Sequence, residues 1–390
     1  MERRDFIVKS GTVLTAATFL RMFVDSNNLF GAVKKINEDI DYKKRPNPNA
    51  FSQPILKAIA IGINAPSAHN TQSWKFKVVN DNSMYLYINE NILLPATDPP
   101  SRQIHMGAGC FIETLVIGAS SLGYKSSVTY FPEGYESSID FGQKPVAKIE
   151  LNKTSDKPDT LSDYVIDRQT NRREYEGKII TTQEFETLKE FAGNTHSQLV
   201  FINENFKPYF EIFNKGFEIE SRTFRTNEET RNLFRFSEEE RAAKGDGLSI
   251  PQMGYSGMIK NIAEKSLDNG NKEKWHSDKS IELSMKNVAK GIESSKGIVA
   301  WITETNTFED WIKSGRDYVR FSLALTKQNL YAHPYNQAIQ EYDEMKAIRA
   351  ELDSLLKIRG NQKIQMIVRI GRSSKPYQSY RRQLETYIVK

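Results

Sequence analysis

Ala65-Pro66-Ser67-Ala68-His69-Asn70-Thr71-Gln72-Ser73-Trp74, or APSAHNTQSW, is the stretch on which the fold and the site of this 390-residue chain turn. It follows an apolar run with Ile55, Leu56, Ile59 and Ile63 at helical spacing, a helix expected over roughly residues 53–63. Pro66 stops that helix. It precedes WKFKVVNDNSMYLYINE, which alternates on both sides of Asn80-Asp81-Asn82-Ser83 as a β-hairpin does. Between helix and hairpin, the loop concentrates Ser, His, Asn, Thr and Gln, neutral groups that both donate and accept hydrogen bonds. An ordinary turn does not need so many.

Outward from the loop, DPPSRQ leads into a long apolar helix expected over about 103–122 and ended by Gly123. The runs SSVTYF and PVAKIELN read as strands, and the polar stretch 152–161 marks a boundary. Beyond it, Thr181 with Glu184 forms a capping-box pattern, QLVFI and KGIVAWITE read as strands, and Thr307 caps a second long helix. A helix at about 341–357, the strand KIQMIVRIG and the tail SYRRQLETYIVK close the chain. Each half holds a helix, strands and a long apolar helix, so the expected class is α+β, with a first half at 53–161 and a second at 162–390. A charged helical insert is expected at about 225–290, and no repeat is visible residue by residue.

Composition removes several classes of function. The balance of 54 basic and 49 acidic residues is dispersed, with no basic run of the kind that binds nucleic acid. No stretch reaches the roughly 18–20 uninterrupted apolar residues of a membrane span. Cys110 is the only cysteine, so neither an internal disulfide nor a CxxC zinc site can form, and its apolar surroundings read as those of an inert thiol. The five histidines are not paired at metal-binding spacing, and no metal site is expected. There is no G-x-S-x-G and no Walker A loop; the GAG at 107–109 reads as close packing at a helix start. The N-terminal MERRDFIVKSGTVLTAATFLRMFV, with Arg3-Arg4, resembles a twin-arginine export signal over residues 1–35, which predicts the periplasm; a charged helix of a cytoplasmic protein is the alternative. Residues 36–52 are polar with two prolines and read as a linker.

What remains is arginine. In DRQTNRREY, Arg168, Thr170 and Arg172 alternate, so an extended segment presents two guanidinium groups and a hydroxyl on one side, a geometry suited to a phosphate dianion. Arg381 and Arg382 follow the last strand. Each of these arginines, taken singly, reads better as solvated or paired with a nearby Glu.

APSAHNTQSW, DPPSRQIHMGAG, DRQTNRREY, LYAHPYNQAI and QMIVRIG with RRQLE occur in an order that resembles the nitroreductase superfamily of flavoproteins, most closely its Acg-like branch. The likeness runs from about residue 50 to 386. It implies flavin mononucleotide (FMN) as cofactor, an NAD(P)H donor and a small aromatic, quinone or nitro acceptor. Ordinary members are homodimers; here the loop appears only in the first half and the Arg element only in the second, so one chain is expected to mimic a dimer around a single site. The resemblance implies that Pro66, Ser67, His69, Asn70, Gln72 and Asn336 serve the flavin ring or ribityl chain, and that Arg168, Thr170, Arg172, Arg381 and Arg382 hold the phosphate. No catalytic acid or nucleophile is assigned. Ser73 stands where the family has proline, which predicts a looser loop. An FMN-sequestering protein with little turnover is the second expectation, the insert then serving as a cover.

Overall fold

The computed structural model describes residues 44–193 and 195–389; the export-signal stretch and residues 36–43 of the linker lie outside them. The first half runs α1 (Pro54–Gly62), β1 (Trp74–Asn80), β2 (Ser83–Ile88), α2 (Arg102–Ser121), β3 (Tyr124–Tyr130) and β4 (Ala147–Lys153). The second begins with α3 (Thr182–Ala192) and β5 (Gln198–Ile202). Six helices follow: α4 (Lys207–Arg222), α5 (Phe224–Asn232), α6 (Glu238–Lys244), α7 (Gly257–Ser266), α8 (Lys272–Trp275) and α9 (Asp278–Glu293). The half then closes with β6 (Gly297–Thr303), α10 (Phe308–Lys327), β7 (Tyr331–Pro334), α11 (Lys346–Leu355) and β8 (Lys363–Gly371).

Local chemistry sets these boundaries. Pro54 opens α1, where its missing N–H costs nothing. Capping boxes at Thr181/Glu184 and Thr307/Asp310 start α3 and α10. Gly123, at φ 80°, follows the end of α2. The short strand β7, which contains Pro334, was not separable in the sequence from the loop around it.

Both sheets are four-stranded and antiparallel with the same order, β1-β2-β4-β3 and β5-β6-β8-β7. Helix, two strands, long helix and two strands therefore occur twice in one topology, an α+β fold of two like halves. The halves differ where β5 joins β6. β1 turns into β2 through Asp81-Asn82, whereas β5 reaches β6 through residues 203–296, which contain α4 to α9.

α2 and α10 pack directly on one another. A Cβ added to Gly109 would stand 1.9 Å from the Ile312 carbonyl oxygen, so only glycine permits this approach. The Cys110 thiol donates to the Gly315 carbonyl at 3.2 Å, and burial pushes its pKa up to about 12, as expected of an inert thiol. α2 is long and apolar enough to cross a membrane, but it is the buried core helix of this fold.

The first sheet covers the core with one face, and its residues alternate along β3 and β4. The second is covered on both. Val299 and Trp301 of β6 join the core between the halves, whereas Ile298, Ala300 and Ile302 join a second core. That is why every residue of β6 is buried and KGIVAWITE reads as a continuous apolar run. Two segments cross between the sheets. Residues 168–172 lie along β7, where the Asn171 N–H donates to the Ala332 carbonyl. The C-terminal tail lies along β1, with Phe76 N–H bonded to Tyr387 O at 2.8 Å and Val389 N–H to Phe76 O at 2.9 Å. Both crossings end beside the 65–74 loop.

Candidate functional site: buried arginines beside the 65–74 loop

The loop is held in an unusual backbone. His69, Asn70 and Gln72 have φ of 47°, 56° and 52°, the left-handed region that non-glycine residues rarely enter. Three such residues within four positions persist only because the surroundings fix them. Ser67 Oγ accepts from the Gln72 N–H at 3.0 Å, and Thr71 Oγ1 donates to Ala68 O at 2.9 Å. Ser73, expected to loosen the loop, is 2% exposed and donates to the Ile92 carbonyl at 2.5 Å. The hydroxyl supplies a tether in place of the ring constraint that a proline would give.

Gln72 is completely committed to protein partners. Its Nε2 donates to Asn70 and, at 2.9 Å, to the Gly245 carbonyl; its Oε1 accepts from the Arg382 N–H and the Tyr387 hydroxyl. It shapes the loop and has no free group for a ligand. The Asn70 amide is likewise engaged, donating to Gly247 O and Tyr380 O. Asn336, expected at the ring, accepts from the Ile367 N–H at 3.1 Å and fastens β8. Half-buried Pro66 and Ser67 stand at the first turns of α2, with Ser67 Cβ 3.6 Å from where a Cβ on Gly107 would be.

His69 faces the site from the loop. Burial and the nearby Arg172 cation lower its pKa from 6.5 to about 4, so the ring is neutral at pH 7. Its Nε2 meets Thr230 Oγ1 of α5 at 3.3 Å.

The arginines separate into three kinds. Arg382 is ion-paired: it meets the Asp246 carboxylate of the inserted region, which also holds Arg235, and donates to Thr71 O at 2.9 Å. Its charge is thus already balanced by a carboxylate, unlike those of the other arginines expected at the phosphate. Arg381 and Arg168 are 5% and 4% exposed and meet no carboxylate among the described residues. Arg381 donates to the Ile63 and Ala65 carbonyls beyond the C-terminus of α1, and Arg168 to the Asn64 carbonyl at 3.4 Å. Burial, reinforced by Arg168, lowers the Arg381 pKa to about 9. Arg172 is half-buried and has no hydrogen-bond or ion-pair partner among the described residues. Thr170 between them lies near the Tyr318 hydroxyl of α10, and both Arg168 and Arg172 act on that phenol electrostatically. The alternation of DRQTNRREY does bring the three side chains to one region.

Three participants escaped the sequence. Arg45, 1% exposed, lies in the stretch that reads as a linker and donates to Asn64 Oδ1, Gln169 Oε1 and Ser379 O. Arg369 is wholly buried in β8, stacks on Tyr175 at 3.9 Å and donates to His333 Nδ1 and Arg173 O. Burial, with Arg369 and Arg172 beside it, holds His333 well below the usual histidine range. A signal for Arg369 existed: it is the one charge inside the apolar run of KIQMIVRIG. Arg45 had none, since its partners lie up to 334 positions away.

Burying a guanidinium without a counter-charge costs several kcal/mol. Among the described residues Arg45, Arg168, Arg369 and Arg381 are buried without one, and Arg172 is half-buried and unpartnered. Such an interior is built to take an anion, and it repels a divalent cation. Among the described residues no group of three or more His, Cys, Asp or Glu could hold a metal.

Fold and site together define an α+β protein of two like halves around a cation-lined anion site. No protein-family model matches the chain. It is similar to two provisionally named NAD(P)H nitroreductases of Mycobacterium tuberculosis H37Rv. One is 29% identical over 82 residues, 21% of this chain and 24% of the relative. The other, acg, is 27% identical over 100 residues, 25% of this chain and 30% of the relative. The chain thus spans less than a third of the length of these curated relatives. Among solved structures, a nitroreductase-like protein of Bacillus cereus aligns with 58% of this chain and 92% of its own, at 12% identity and a TM-score of 0.31. A Bacteroides fragilis nitroreductase with bound FMN aligns with 57% and 93%, at 13% identity and a TM-score of 0.31.

Proposed function

We propose that this chain is an FMN-binding oxidoreductase of nitroreductase type that takes electrons from NAD(P)H and reduces a small aromatic, quinone or nitro acceptor. The observation that carries it is the set of buried guanidinium groups without carboxylates, reached by a loop of fixed neutral groups. A phosphate-bearing cofactor supplies the missing charge. FMN, when bound, supplies the hydride chemistry at its N5. The chain binds and orients: Arg168 and Arg381 hold the phosphate, Thr170 and Tyr318 line its approach, and Arg172 with neutral His69 serves the remainder of the cofactor. No protein acid is required, and none stands in this cluster. Loop and arginines belong to one chain, so a single chain serves as a pseudo-dimer with one site. The sequence of residues 1–35 supports export of the folded, loaded protein by the twin-arginine route.

The absorbance spectrum of the purified protein is the test. A preparation that is colourless and stays so after FMN is added would sink the proposal. Anaerobic mixing with NADH or NADPH then reads turnover through flavin bleaching.

A second proposal, FMN sequestration, has its own observation. The inserted region is bonded to the loop through Gly245 O to Gln72 and Gly247 to Asn70, and to the C-terminal tail through Asp246 to Arg382, which in turn donates to Thr71 O. A cover fastened at three consecutive residues restricts a nicotinamide donor. Rapid bleaching on mixing rules this out.

A further inference from the structure

Arg45 comes from a segment with no recognisable motif, yet it is the most deeply buried member of a three-cation group. Arg45, Arg168 and Arg381 are 1%, 4% and 5% exposed; Arg45 and Arg168 share Asn64, Arg45 and Arg381 share Ser379, and Arg381 and Arg168 both lower the pKa of Arg45. Their hydrogen bonds go only to neutral acceptors: Asn64 Oδ1, Gln169 Oε1 and Ser379 O for Arg45; Asn64 O for Arg168; Ile63 O, Ala65 O, Ser379 Oγ and Tyr380 O for Arg381. The carbonyl end of α1 offsets part of the charge. A helix terminus provides about half an elementary charge, against three full ones. About two and a half positive charges remain unbalanced, and a phosphate monoester near neutral pH offsets up to about two of them.

We propose, on the premise that the chain binds FMN as above, that Arg45 is a phosphate-binding residue and that Arg45, Arg168 and Arg381 form the phosphate cradle. Asn64 positions it: its side-chain oxygen holds Arg45 while its backbone oxygen receives Arg168. Arg382, neutralised by Asp246, is not part of the cradle. Three separate regions of sequence thus build one dianion site, and the entry segment before α1 completes it. The cradle sets the preference for FMN over riboflavin, which has the same ring and no phosphate.

The test is a pair of fluorescence titrations of the flavin-free full-length chain, with FMN and with riboflavin. The unmodified chain prefers FMN. Arg45→Gln weakens FMN by about 10- to 100-fold, the range of one charged hydrogen bond, and leaves riboflavin unchanged. An equal loss of both flavins makes Arg45 a structural staple and overturns the proposal, as does an unaltered FMN-to-riboflavin ratio. If Arg45→Gln does not fold, Arg45→Lys is titrated in the same way: a selective loss of FMN supports the cradle, and an unchanged ratio overturns it. A chain that binds neither flavin defeats the flavoprotein proposal itself, a different outcome from all of these.

Discussion

Gly109 and Gly315 stand in a reciprocal relationship across the crossing of α2 and α10. A Cβ on Gly109 would lie 1.9 Å from the carbonyl oxygen of Ile312, and one on Gly315 2.0 Å from that of Met106. In each helix the glycine follows by three residues the carbonyl that its partner approaches. That is the signature of a two-fold contact, here made within one chain. Together with the identical strand orders, it shows that the two halves are arranged as two subunits of a dimer would be.

Either glycine replaced by alanine forces the helices apart. Gly109→Ala and Gly315→Ala are each expected to destabilise by about 3 kcal/mol, the upper end of overpacking costs, because the obstacle is backbone. One separation relieves both clashes, so the double variant costs clearly less than the sum. Urea unfolding midpoints of the four proteins check this, and additive losses would refute the shared crossing.

Asp246 fastens the inserted region to the loop. Asp246→Asn leaves Arg382 and Arg235 without their carboxylate, at a cost of about 3 kcal/mol for a largely buried pair. The expected outcome is faster proteolysis within residues 203–296 and faster flavin release, with the rest of the chain still folded. Limited proteolysis and stopped-flow dilution measure the two effects.

Arg172 has no hydrogen-bond or ion-pair partner among the described residues. Arg172→Gln is therefore expected to stabilise the flavin-free chain by about 1 kcal/mol, since it removes a half-buried unpaired cation. The same change lowers flavin affinity about tenfold or more. Thermal melts with and without FMN give both numbers, and a variant that is destabilised in both states contradicts the role given to Arg172.

His69 makes stability depend on pH in a defined direction. Its folded-state pKa of about 4 lies below the ordinary 6.5. As pH falls, the unfolded chain takes up the proton first. The contribution is complete above pH 6.5, is lost between 6.5 and 4, and is flat below. A full shift would be worth about 3 kcal/mol, reduced to about 2 kcal/mol because the ring is partly exposed. His69→Asn keeps the left-handed backbone, which asparagine tolerates, and removes the titration. Between pH 7 and 4 the native chain should lose about 2 kcal/mol more than this variant; equal losses in urea unfolding would show that His69 is not held neutral.

Much of this was legible. The alternation around Asn80–Ser83, the capping box at Thr181/Glu184 and the Gly123 stop are local patterns, and each appears where its residues place it. The polar content of APSAHNTQSW marked the loop, and Arg168-x-Thr170-x-Arg172 marked its cationic counterpart. Local pattern could not say which polar groups remain free. Gln72 and Arg382 look like ligand contacts in sequence, but Gly245, Tyr387 and Asp246 occupy them in space. Arg45 looks like linker and is buried to 1% exposure.

The sequence by itself determined the elements, the two-half α+β class and the loop's chemistry, because periodicity, caps and turn residues act over a few positions. Only the tertiary structure decided which cations lack a counter-charge. That quantity depends on burial and on partners as distant as Arg45 and Ser379 or Gln72 and Tyr387, which meet because the C-terminal tail lies along β1 and returns to the loop.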